Sequence, residues 1–79
     1  MDRRIFDQKL SVEGTSLYLL MTALSDQGAT LRRETMLPMW NASPEKLDGA
    51  LKELAGRGIA GQDAGGAWFL NPATHWRPA

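Results

Sequence analysis

Apolar positions recur at helical spacing in three places along the chain. Between Ser11 and Gly28, the residues Leu17, Leu20, Met21 and Leu24 fall at i, i+3, i+4 and i+7, the pattern of one buried helix face. Ser11 is placed to cap this helix, Glu13 complements its positive end, and Gly28 suits a left-handed stop. A second helix is expected from Leu31 to Leu37. Pro38 cannot donate to the carbonyl of Glu34 and crowds that turn, so the helix should end or kink there, with Met39 and Trp40 in an irregular last turn. The third pattern is the clearest. Ser43 caps, Pro44 fits the first helical position, Glu45 complements the dipole, and Leu47, Leu51 and Leu54 share one face. Gly58 should end this helix and bring Ile59 against Leu54.

The period then shortens. Ile59 to Gln62 and Ala67 to Leu70 read as two strands joined by Asp63-Ala64-Gly65-Gly66, with Trp68 and Leu70 on one face and Phe69 on the other. Ala29-Thr30 offers a further very short strand, or Thr30 caps the second helix. The expected fold class is α+β, three helices with a small antiparallel β-hairpin, over residues 11–70. An arm, residues 1–10, precedes it as a short strand, a helical turn or an extended segment, with Ile5 and Phe6 packed on the core or on a second subunit. Asn71-Pro72 breaks the last strand, and residues 71–79 form a tail carrying His75, Trp76 and Arg77. Trp40 is expected in the core at the junction of the three helices, with Met21, Met36 and Met39 as filler and Trp68 half-buried.

Composition narrows the function classes. A single domain of 79 residues has a small core, so a dimer is compatible with it. The absence of cysteine excludes disulfides and thiolate metal sites and fits a cytoplasmic setting. The longest apolar stretch, Leu17 to Leu24, is far shorter than a membrane span, and the charged start lacks a signal-peptide core. No nucleophile motif or phosphate-binding Gly-Lys loop is visible, and His75 stands alone, so neither an enzyme nor a metal or other cofactor is expected.

The succession of helices, short link, helix and hairpin resembles the winged helix-turn-helix superfamily of bacterial and phage regulators. Two local strings are similar to the winged-helix domains of plasmid and phage replication initiators. One is Leu10-Ser11-Val12-Glu13-Gly14 followed by Leu17-Tyr18-Leu19-Leu20; the other is Trp68-Phe69-Leu70-Asn71-Pro72 followed by Trp76-Arg77. The resemblance implies a transcriptional regulator or replication-related protein that binds double-stranded DNA through its third helix and wing, with a homodimer on paired half-sites as one arrangement.

The charges qualify that expectation. Nine basic and nine acidic residues cancel, whereas duplex binding draws most of its non-specific affinity from cations on phosphates. Opposite Leu47, Leu51 and Leu54 the third helix carries Glu45, Gly49, Lys52, Glu53 and Gly56, and the turn from Gln62 to Ala67 has one acid and no base. The candidate DNA-contacting residues are Arg32, Arg33, Lys46, Lys52 and Arg57, with Arg77 and the Arg3-Arg4 pair as further phosphate contacts. Gly49 and Gly56 each weaken a helix by about 1 kcal/mol relative to Ala and leave its outer face smooth. Together with Phe69 and Trp76 they form the alternative, a protein-interface set for a winged helix turned to protein contact. Trp76 can instead dock on Ile5 and Phe6 of its own chain.

Overall fold

The computed structural model describes residues 1–77. Three helices, α1 (Val12–Asp26), α2 (Arg33–Met36) and α3 (Pro44–Gly56), precede a hairpin of β1 (Ala60–Gln62) and β2 (Trp68–Leu70), an α+β arrangement. Short 3-10 turns occupy Arg3–Asp7, Leu37–Met39 and Ala73–His75.

Both long helices start and stop as their sequences dictate. The Ser11 hydroxyl accepts the Gly14 N–H at 3.0 Å, and the Ser43 hydroxyl accepts that of Lys46 at 3.3 Å. Gly28 and Gly58 have φ of 78° and 68°, the left-handed stop. At the end of α3 the Gly58 N–H donates to the Ala55 carbonyl at 3.1 Å and the Ile59 N–H to that of Leu54 at 3.0 Å. Ile59 and Leu54 are both fully buried, so the apolar contact of this stop also starts the hairpin.

The core forms where α1 and α3 pack together. Leu17 and Met21 meet Leu47, Leu51 and Leu54, closed by Met36, Ile59 and Ile5. Full burial of each such side chain stabilises by about 1.5–3 kcal/mol. The hairpin pairs Ala60 with Leu70, Gly61 with Phe69 and Gln62 with Trp68. Its turn is held by the Asp63 carboxylate, which accepts the N–H groups of Gly65 (2.9 Å) and Ala67 (3.0 Å). Trp68 and Leu70 lie half-buried on the core. Phe69 faces away, its ring over Gly61 where a Cβ would collide with it.

Several expectations are corrected. The second helix starts at Arg33, two residues later than the pattern suggests, because the Leu31 carbonyl accepts the Trp68 N–H at 2.6 Å and Leu31 forms a β-bridge to that strand. Thr30 therefore caps nothing; Arg32 holds the N-cap position without a side-chain bond. Pro38 falls in the 3-10 turn that follows α2, where its missing N–H costs less than in an α-helix interior. The arm takes the helical-turn option and buries Ile5, but Phe6 is 56% exposed. Met39 is 59% exposed rather than core filler, and Trp40 is only half-buried, its indole N–H donating to the Ser43 carbonyl at 3.1 Å. Met36 fills the junction assigned to Trp40. Trp76 docks on its own chain, against Tyr18 edge to face with centroids 5.8 Å apart, and its indole N–H donates to the Asn71 carbonyl.

The two stop glycines give a direct test. A Cβ at Gly58 would lie 2.8 Å from the His75 carbonyl oxygen, whereas at Gly28 nothing lies within 4 Å. Gly28→Ala should cost only the left-handed penalty of about 1–2 kcal/mol. Gly58→Ala should cost more than Gly28→Ala, because the same strain is joined by a backbone collision; chemical denaturation of the two variants measures the difference.

Candidate functional site

The outward side of α3 carries Glu45, Gly49, Lys52 and Gly56 at i, i+4, i+7 and i+11, all exposed. Nothing lies within 4 Å of where a Cβ would stand at Gly49 or Gly56. Lys46 and Lys52 sit three residues to either side of Gly49, about 60° to each flank of it at 3.6 residues per turn. Beside this stripe runs a groove between α3 and the hairpin, with Leu51, Ala55 and Trp68 along it and Arg33, Lys52 and Gln62 at its margins.

Internal bonds decide which charges remain available. Glu53, expected among the outward residues, turns instead to the start of α1. Its carboxylate accepts the Ser11 N–H at 2.9 Å and the Ser11 hydroxyl at 2.5 Å. A Glu three residues after a Ser cap often accepts the cap's own N–H. Here Gly14 holds that position, and an acid from another helix does the work. Gly14 is what admits it, since a Cβ there would overlap the Glu53 carboxylate. The sequence signal was a glycine in the first turn of a capped helix; no periodicity could have paired it with Glu53.

Arg57 is likewise drawn inward. Its guanidinium donates to the Arg77 carbonyl (2.8 Å), the Gln8 carbonyl (2.9 Å) and the Gln8 side chain (3.1 Å). Arg57, one of the DNA-contacting candidates, thus ties the arm and tail to the end of α3. Arg77 caps that same end, donating to the carbonyls of Gly56 and Ala55, so it too is scaffold. Arg4 pairs with Asp2 at 2.7 Å, far from α3 in sequence and within its own turn.

Arg33 pairs with Asp48 across α2 and α3, through bonds of 2.7 and 3.2 Å. Each holds the other charged: the guanidinium lowers the Asp48 carboxyl below its ordinary value, and Asp48, with weaker help from Glu34 and Glu45, raises Arg33. Arg32 lies at the hairpin turn, donating to the Gly65 carbonyl at 3.0 Å. The turn has no basic residue of its own, and the fold supplies it with one. Lys46 and Lys52 have no ion-pair partner among the described residues.

Of the protein-interface candidates, Gly49, Gly56 and Phe69 are exposed, while Trp76 is half-buried on Tyr18. A second concavity lies between Val12, Leu20, Met39 and Trp40, with Glu13, Ser16 and Asn41 also lining it. Among the described residues no group of three His, Cys, Asp or Glu could hold a metal, and no helix is long and apolar enough to cross a membrane. Comparison with protein-family models, curated proteins and solved structures returned no match.

The division between scaffold and surface cations is measurable by thermal denaturation. Arg57→Ala should lower stability by roughly 1–3 kcal/mol, because it removes charged hydrogen bonds and leaves acceptors at Gln8 and Arg77 unpaired. Lys46→Ala and Lys52→Ala should each stay within about 0.5 kcal/mol of the parent.

Proposed function

We propose that this chain is a winged helix-turn-helix module that binds duplex DNA, with α3 entering the major groove and the β1–β2 hairpin serving as the wing. The element order supports this: α2, a short link and α3 form the helix pair, and Leu31 bridges to β2 as a rudimentary third strand. The observation that carries the reading is the position of Arg32. Its contact with Gly65 places a cation at a hairpin turn that has no basic residue of its own. Lys46 and Lys52 then offer phosphate contacts on either side of a helix strip that lacks side chains at Gly49 and Gly56. The absence of Cβ atoms there allows close approach to the duplex. The biological setting consistent with such a module is regulation of transcription or replication in a bacterial or phage system.

A second reading, contact with a protein partner through the same strip and Phe69, is favoured by one observation: the Arg33 charge on the α3 side is already matched by Asp48. Salt dependence separates the two. If α3 contacts DNA, affinity for a duplex falls as salt rises, and Lys46→Ala, Lys52→Ala and Arg32→Ala each reduce the slope of log K against log salt by about 0.9. Fluorescence anisotropy with a labelled duplex reads this. Absence of duplex binding at low salt, with the protein folded, would favour the protein-contact reading.

A further inference from the structure

The Arg33–Asp48 pair is an exposed contact between α2 and α3 at the candidate surface. The placement of α3 is already set by Leu47, Leu51 and Leu54 in the core, by Glu53 at the start of α1 and by Arg57 at its own end. The pair itself is open to solvent, with side-chain exposures of 43% and 54%, and such pairs add little to stability. Its geometry is nonetheless specific. Two guanidinium nitrogens of Arg33 each donate to a different Asp48 oxygen, at 2.7 and 3.2 Å, the two-point grip by which arginine also holds a phosphate. Both residues border the groove beside α3, next to Lys52. Glu34 and Glu45 add only longer-range attraction to Arg33, and neither is within ion-pair distance of it.

We propose that Asp48 sets the sequence-independent affinity of the α3 surface: its carboxylate occupies the Arg33 guanidinium in place of a DNA phosphate and withholds that cation from phosphate binding. This rests on the reading of α3 as a duplex-contacting helix. Contacts to phosphate supply most non-specific affinity, whereas discrimination comes from contacts to base edges and from DNA shape. Sequestering one phosphate-binding arginine lowers sequence-independent affinity by the worth of one phosphate contact. Asp48 acts through Arg33 and is in that sense a positioning residue.

The test compares the parent with Asp48→Asn, Arg33→Gln and the double variant on a duplex of mixed random sequence, with anisotropy read across salt. All four proteins are first checked for equal thermal unfolding. Asp48→Asn should bind tighter, and its slope of log K against log salt should steepen by about 0.9, one added phosphate interaction. Between about 50 and 200 mM salt that is an extra loss of about 3.5-fold. The double variant should return to the parental slope, because the phosphate is held by Arg33. Binding by Asp48→Asn where the parent shows none also supports the proposal. An unchanged slope in Asp48→Asn overturns it, as does a double variant that keeps the steeper slope, since the acid would then act by its charge alone. If the parent binds and only these outcomes fail, the inference falls and the DNA reading stands; if none of the four binds at low salt, both fall.

Discussion

The packing of α3 against α1 is the constraint on which everything else depends. Leu47, Leu51 and Leu54 on one side of α3 are at most 4% exposed, and that burial fixes which side is left for a partner. The C-terminal end of the helix is then secured by other elements. Glu53, in its last turn, reaches the start of α1 through the gap left by Gly14, and Arg57 and Arg77 tie the same end to the arm and the tail. A helix anchored along its inner face and at one end presents its outer stripe as a rigid surface, which is the condition for reading another molecule by shape and by individual side chains.

The same contacts sort the charges. The sequence is neutral overall, and taken residue by residue its third helix is neutral too. In three dimensions Glu53 satisfies backbone and hydroxyl donors at a helix start, Asp63 satisfies the turn, and Asp48 is matched by Arg33. Arg57 is consumed by the scaffold in turn. Exposed are Arg32 and Asp63 at the hairpin turn, Lys46 and Lys52 on α3 with Glu45 between them in angle, Glu34 on α2, and the Arg33–Asp48 pair. Net charge is therefore an incomplete guide to this surface, because partners on other elements decide where each charge is held.

The helices, their caps and the hairpin were legible because each is set by local chemistry: Ser11 and Ser43 at starts, Gly28 and Gly58 at stops, Asp63 and Gly66 at the turn. The inward face of α3 followed from the spacing of its leucines. The late start of α2 was not legible, because the Leu31 carbonyl is claimed by Trp68, a residue far along the chain. The outward face was read partly wrongly for a similar reason. Glu53 lies within reach of that face by periodicity, but its bonds to Ser11, made in the space left at Gly14, turn it away. Arg32 and Arg57 look alike as surface cations in sequence, yet one lies at the hairpin turn and the other is bound by Gln8. Position along a helix predicts the direction of a side chain; its partner on another element decides its use.

The most direct measurement is residue-resolved NMR of the backbone amides during titration with duplex DNA at low salt. If the outer side of α3 is the contact surface, the largest shifts fall at residues 45–53, at Arg32 and Arg33, and at the hairpin turn from Asp63 to Gly66, while the arm and the far side of α1 stay still. Shifts confined to the Val12, Leu20 and Met39 side of the molecule, or none on addition of duplex to the folded protein, would contradict the account.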